Sequence, residues 1–154
     1  MREMRRLNRQ IDSEEEVIEI LKQSDYGILA TVDSNGQPYG VPVNYVYANG
    51  VIYFHCALEG HKLDNIRENN KISFTVVGSD RILSEKFTTL YSSVIVFGKA
   101  EEVVDDHEKE EALKLVIQRF SPDFLEEGLV YIQKAKHKTG VVKLTIDHMT
   151  GKRN

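Results

Sequence analysis

The feature that most constrains this chain lies between Tyr26 and Ala57, where the apolar period is two and Asn-Gly pairs interrupt it twice. Tyr26 to Asp33 (Y-G-I-L-A-T-V-D) alternates, Ser34-Asn35-Gly36 turns, Tyr39 to Tyr47 alternates again, and Ala48-Asn49-Gly50 leads into Val51 to Ala57. Asparagine and glycine tolerate the positive φ that tight hairpins demand, so each pair predicts antiparallel neighbours. A three-stranded meander over residues 26–57 is expected. Pro42 sits inside the second strand and cannot donate a ladder hydrogen bond. Its position must be an edge, a bulge, or a place where something other than a strand lies alongside. Asn44 shares that face and could pair with a heterocycle; a simple edge strand with a surface asparagine accounts for both residues too.

The other elements follow by period and punctuation. Ser13 to Glu16 has capping-box spacing before Val17, Ile18 and Leu21, which predicts a helix ending near Ser24. A short helix begins at His61, and Lys71 to Val77 is a fourth strand. Gly78 to Thr88 is polar and reads as a loop, and Leu90 to Val104 as a long strand. Asp105-Asp106 opens a helix with Ala112, Leu113, Val116, Ile117 and Phe120 on one face, ended by Ser121-Pro122. A further helical piece covers roughly 124–135, and a final strand covers 139–146. Six strands with four helices, at meander spacing, predict one mainly β (α+β) domain over residues 1–154: a six-stranded antiparallel barrel with helices packed outside it.

Composition excludes several classes. No apolar run approaches transmembrane length, and the arginines of MREMRRLNRQ have no apolar segment behind them, so neither a membrane span nor a secretory signal is expected. The single cysteine, Cys56, allows no internal disulfide and no zinc-type pair, which points to the cytoplasm. A net charge of −4 argues against nonspecific nucleic-acid binding. Arg2, Arg5, Arg6 and Arg9 make residues 1–12 a basic arm, either a solvated tail or one that docks near an anionic ligand.

The richest stretch chemically is Val51 to Ile66. Ile52, Phe54 and Cys56 fall on one strand face and read as core; Val51, Tyr53, His55 and Ala57 fall on the other. Gly60, His61 and Lys62 then stand where the short helix begins. Free amides, the positive end of the helix dipole and an ammonium converge there, which suits a phosphate. Alternatively, Gly60 only turns the chain and Lys62 is solvated. Ser92 and Ser93 offer two hydroxyls on the long strand. His55 and Cys56 are strand neighbours pointing to opposite faces, so no metal site is expected. There is no G-x-S-x-G, dinucleotide fingerprint or P-loop. An anion corner, a proline-broken strand, a serine pair and an outward histidine together suggest a phosphorylated planar ligand.

The ordered segments R-R-L-N-R-Q-I-D, Y-G-I-L-A-T-V-D-S-N-G-Q-P-Y-G-V-P-V-N-Y-V-Y, Y-F-H-C-A-L-E-G-H-K-L-D-N-I and Y-S-S-V-I-V-F-G-K-A resemble the pyridoxamine 5′-phosphate oxidase-like flavoproteins. Within them the likeness is greatest to the branch of 5-nitroimidazole-resistance proteins, and it extends to Met149-Thr150-Gly151-Lys152. The resemblance implies a split β-barrel homodimer holding FMN between subunits. Val41, Pro42, Val43 and Asn44 would lie along the isoalloxazine; His55, Cys56 and Ala57 would line its ribityl and ring region. Lys62, with His61 and the Gly60 turn, would hold the phosphate, and Tyr91, Ser92 and Ser93 would contribute from the later strand. His61 departs from the family, where arginine is common. His55 would be the catalytic residue, facing substrate. The activity implied is FMN-dependent reduction of a small aromatic or nitro-type acceptor, with electrons from a transient donor such as NAD(P)H. A flavin-binding carrier, sensor or drug-sequestering module without turnover, a haem- or deazaflavin-binding split barrel, and a pyridoxamine 5′-phosphate oxidase are the alternatives. The basic residues that pyridoxamine oxidases carry late in the chain are not matched over Thr139 to Asn154. The face of Val41, Val43, Tyr45 and Tyr47, if outward, would supply part of the dimer contact.

Overall fold

A computed structural model describes residues 1–154. Its elements are β1 (Gln10–Ile11), α1 (Glu14–Gln23), β2 (Tyr26–Val32), β3 (Pro38–Asn44), β4 (Val46–Ala48), β5 (Val51–Cys56), α2 (His61–Glu68), β6 (Lys71–Leu83), β7 (Thr88–Glu102), α3 (Asp106–Phe120), α4 (Leu125–Ala135) and β8 (Gly140–Arg153). All eight strands belong to one antiparallel sheet, ordered β3-β2-β6-β7-β8-β5-β4, with β1 added on β8. No helix is long and apolar enough to cross a membrane.

This corrects the expected six-stranded split barrel. The fold mixes α and β on an eight-stranded sheet that does not close, because no ladder joins its outer strands β3 and β4. The cause is local. Alternation runs on through Tyr45 and Tyr47, yet the chain leaves the ladder at Tyr45, whose side chain is 1% exposed and donates its hydroxyl to the Leu21 carbonyl at the end of α1. Two hairpins result rather than a meander: β3 pairs only with β2, and β4 only with β5. Since Asn44 and Val46 are two residues apart, the sheet must curl to bring its edges within about 7 Å of each other.

The curled inner face holds the core. Leu29, Ile52, Phe54, Phe74, Val76, Val94, Val96 and Leu144 meet Val17 and Leu21 of α1 and Leu63 and Ile66 of α2. Ser13 accepts from the Glu16 amide, and Glu14 to Glu16 occupy the first turn of α1, as its spacing predicts. Val41, Val43 and Tyr47 pack against this core beside Tyr45. That face therefore points towards the core rather than outward, with Val41, Val43 and Tyr47 partly buried against it.

The two Asn-Gly turns differ. Asn49 and Gly50 both have positive φ (53° and 79°) and join β4 to β5 directly. The first is wider: Asp33 Oδ1 accepts from the amides of Asn35 and Gln37, and β3 begins only at Pro38. The predicted loop over 78–88 is mostly strand. β6 runs on to Leu83 after a register shift between Val77 and Ser79, and it meets β7 through a 3-10 turn, so the hairpin end stands clear of the core with Ile82 and Phe87 exposed. β8 is also longer than expected, pairing with β7, β5 and β1.

α3 and α4 lie outside the sheet over β5 and β8. Ala112, Leu113 and Ile132 bury Val141 of β8, with Tyr53 and Val103 at the margin. Lys143 on β8 holds Glu108 of α3 at 2.8 Å, and Tyr53 donates to the same carboxylate at 2.9 Å. No helix covers the outer face of β3, β2, β6 and β7, where Tyr26, Ile28, Val77 and Ile95 stand in solvent.

Candidate functional site

Gly60 supplies the turn that begins α2. Its backbone (φ 146°, ψ 166°) is open almost only to glycine, and nothing lies within 4 Å of the position a Cβ would take. The Gly60 carbonyl accepts from the amides of Leu63 and Asp64, and no side chain caps the helix. The amides of His61 and Lys62 therefore face outward at the positive end of the helix dipole. Lys62 is half-buried on the same turn. The counter-charge nearby is partly neutralised, since Arg67 reaches Asp64 at 3.9 Å and pairs with Glu102 at 2.7 Å.

This helix start is fastened to the edge strand. The His61 ring lies against Tyr39 of β3, with centroids 4.0 Å apart. Along β3, Val41 and Val43 turn inward while Pro42 and Asn44 face out, and the side of the strand away from β2 carries no partner. The Asn44 amide donates to the Asp25 carbonyl at 2.9 Å, which fixes its side chain and leaves its oxygen as an acceptor. Cys56 packs against the core beneath this corner. Burial pushes its thiol pKa up and Lys62 only partly offsets that, so it behaves as a small apolar residue rather than a thiolate. Ala57 is exposed just beyond β5.

Other expected residues lie elsewhere. His55 faces α3 and α4, at a cavity of about 120 Å³ lined by Leu113, Val116, Ile117 and Lys136 among others. Although the residue is exposed, the protein around its ring lowers its pKa, so the imidazole is neutral at pH 7. Tyr91, Ser92 and Ser93 sit on β7, separated from β3 by β2 and β6; three strand spacings put roughly 14 Å between the two groups. The serines also diverge. Ser92 Oγ bonds Ser79 Oγ at 3.0 Å, whereas Ser93, opposite Lys152 in the ladder, faces outward. One chain thus joins β3 to the α2 corner and leaves the β7 group apart. Nothing in the sequence around Tyr39 signals its stack on His61, because the two residues meet only where β3 packs against the start of α2.

Whether the α2 corner suits a phosphorylated flavin can be judged from its chemistry. Outward amides, a half-buried ammonium and open space above Gly60 match a phosphate. An unpaired strand edge matches the polar rim of a planar ring. The residues fit on one side of such a ligand.

A family model described as pyridoxamine 5′-phosphate oxidase matches residues 13–153. No curated protein matches the chain. Among solved structures, a candidate 5-nitroimidazole antibiotic resistance protein from Bacteroides thetaiotaomicron is 26% identical, with 94% of this chain and 86% of that one covered at a TM-score of 0.77. The FAD binding protein from Mycobacterium smegmatis is 25% identical over 94% and 96% of the two chains, with a TM-score of 0.64. A flavocytochrome from Azotobacter vinelandii shares the fold at 22% identity and a TM-score of 0.84, covering 99% of this chain and 72% of its own.

Proposed function

The chain belongs to the pyridoxamine 5′-phosphate oxidase family, and from that premise we propose that it is an FMN-dependent oxidoreductase, reducing a small aromatic or nitro-type acceptor with electrons from a transient donor such as NAD(P)H. The observation that carries this reading is the uncapped, glycine-opened start of α2 fastened by the Tyr39–His61 contact to a strand edge with no partner. Relatives of similar fold that bind flavin by name support the cofactor class. Bound there, FMN supplies the two-electron redox chemistry.

The chain's own residues do the rest. Lys62 and the amides of His61 and Lys62 hold the phosphate, and Tyr39 keeps His61 from swinging away. Val41 to Asn44 present backbone groups and the Asn44 carbonyl oxygen to the ring. The β7 group cannot reach this ring within one chain. A homodimer that packs the bare outer faces together would bring Ser93 and Tyr91 of a second copy towards it, and would cover Tyr26, Ile28, Val77 and Ile95. His55, neutral at pH 7 under α3 and α4, would serve as a hydrogen-bond partner for substrate rather than as a ready acid.

The test is the visible spectrum of the purified protein, followed by anaerobic NADH addition and reoxidation by a nitroaromatic. Flavin absorbance, bleaching and recovery with acceptor turnover are expected. A flavin that stays oxidised with every donor tried would leave a binding protein, and a colourless protein that takes up no FMN would end the reading. Lys62→Ala should weaken FMN retention by roughly 1–3 kcal/mol through loss of a charge-assisted bond.

A further inference from the structure

The ends of α1 and β3 meet at one small junction. The last carbonyls of a helix have no partner within it, and three of those in α1 find side chains instead. The Ile20 carbonyl accepts from the Ser24 hydroxyl at 3.1 Å, the Leu21 carbonyl from Tyr45, and the Gln23 carbonyl from Arg119 Nη2 at 3.1 Å. Arg119 stands in the last turn of α3. The same Nη2 reaches Asp25 Oδ1 at 3.2 Å, so one guanidinium grips both ends of the turn joining α1 to β2. Its charge lies at the negative end of the α1 dipole. The Arg119 side chain is largely sheltered, whereas the Asp25 carboxylate stands in solvent.

Asn44 hangs on this turn, its amide donating to the Asp25 carbonyl at 2.9 Å. A backbone carbonyl only accepts, so the Asn44 NH2 must point to it and the side-chain oxygen away from it. Tyr45, the next residue, leaves the ladder for the same helix end, and β3 stops there. An oxidised isoalloxazine carries a single N–H, on its pyrimidine edge, and its other polar ring atoms accept. An outward oxygen at Asn44 matches that N–H; an outward NH2 would not. We propose that Arg119 is a positioning residue for the flavin: it fixes the turn at 23–25, the turn fixes the Asn44 side chain, and Asn44 presents its oxygen to the ring. This inference rests on the flavin reading of the β3 edge. It adds a residue from α3, a helix packed over the other half of the sheet.

The experiment is a double-mutant cycle on FMN affinity, read by quenching of FMN fluorescence in wild type, Arg119→Gln, Asn44→Ala and the double variant. An ion pair with one partner in solvent contributes little to stability, so Arg119→Gln should fold with an unchanged circular dichroism spectrum. It should weaken FMN about fivefold or more beside Asn44, and less than about twofold in the Asn44→Ala background. Arg119→Gln and Asn44→Ala should also shift the long-wavelength flavin absorption band alike. Equal losses on both backgrounds would overturn the proposal, because a residue that only braces the fold acts whether or not Asn44 is present. A second readout needs no flavin. In proton–nitrogen NMR spectra the two side-chain amide protons of Asn44, one bonded and one free, should resonate apart in wild type and converge in Arg119→Gln. Wild type that takes up no FMN would overturn the flavin reading and this inference with it. Wild type that binds FMN, with Asn44 amide resonances unmoved by Arg119→Gln, would overturn this inference alone.

Discussion

The outer face of the sheet has two halves that are alike in residue type and opposite in fate. Over β5 and β8, α3 and α4 bury Val141 to 2% exposure and clamp the seam with Lys143–Glu108 and Lys136–Asp106 pairs. Over β3, β2, β6 and β7, Tyr26 is 60% exposed and Val77 57%, with Ile28 and Ile95 beside them. Aliphatic and aromatic side chains on a pleated face favour burial wherever a cover exists. The chain carries its own cover for one half only. The comparison teaches that the bare half is an unfinished surface, and the proposed homodimer is what would finish it.

The contrast can be broken most sharply on the covered side. Leu113→Ala should destabilise the fold by about 2–4 kcal/mol in urea unfolding, because it empties a packed seam, whereas Ile95→Ala should cost under about 1 kcal/mol in a dilute, single-chain sample. Equal losses would abolish the distinction. Next in size, Ile28→Arg should raise the dissociation constant of the homodimer at least a hundredfold in light-scattering or sedimentation measurements while the melting transition of the chain stays intact. A wild type that runs as one chain at every concentration would remove the second copy from the account.

A smaller effect concerns the clamp. Hydrogen bonding from Lys143, and then from Tyr53, holds the Glu108 carboxyl below its ordinary range. A carboxyl depressed in the folded state adds stability above its unfolded pKa of about 4.3, and that stability drains away as pH falls through the folded value. Lys143→Met should therefore cost about 1 kcal/mol near neutral pH, discounted for partial exposure, and flatten the fall in melting temperature below pH 4.5. The smallest effect belongs to His55. Its pKa is lowered by burial, so the folded state loses a little stability as pH drops below about 6.5. His55→Gln should erase that shallow step in melting temperature between pH 7 and 5 and change nothing above it.

What could be read from the sequence was local. The Asn49-Gly50 turn, the Ser13 cap and the Gly60 helix start each depend on a few successive residues, and each was legible. Tyr45 was not. Its alternation with Val43 and Tyr47 is unbroken, and what lifts it from the ladder is a carbonyl at Leu21, in another element. With that departure went the meander and the six-stranded split barrel, since strand pairing across the edges is decided by residues far apart in the chain. The hairpin beyond Gly78 read as a loop because its side chains are polar or stand clear of the core; polarity there reflects exposure, not absence of a ladder. At the site, the α2 corner was visible because Gly60, His61 and Lys62 follow one another in the chain. That Ser92 and Ser93 part company, and that His55 looks towards α3 and α4, depends on sheet order and helix placement.

β8 follows every other strand in the chain, and β5 meets the remainder of the sheet only through it. During synthesis the β4–β5 hairpin and the β2–β3–β6–β7 portion must therefore wait as separate pieces, with raw edges, until this last strand leaves the ribosome and zips them together. Such late, long-range pairing is slow and leaves intermediates open to association. Nascent chains stalled before residue 140 should for that reason be the form most dependent on chaperones.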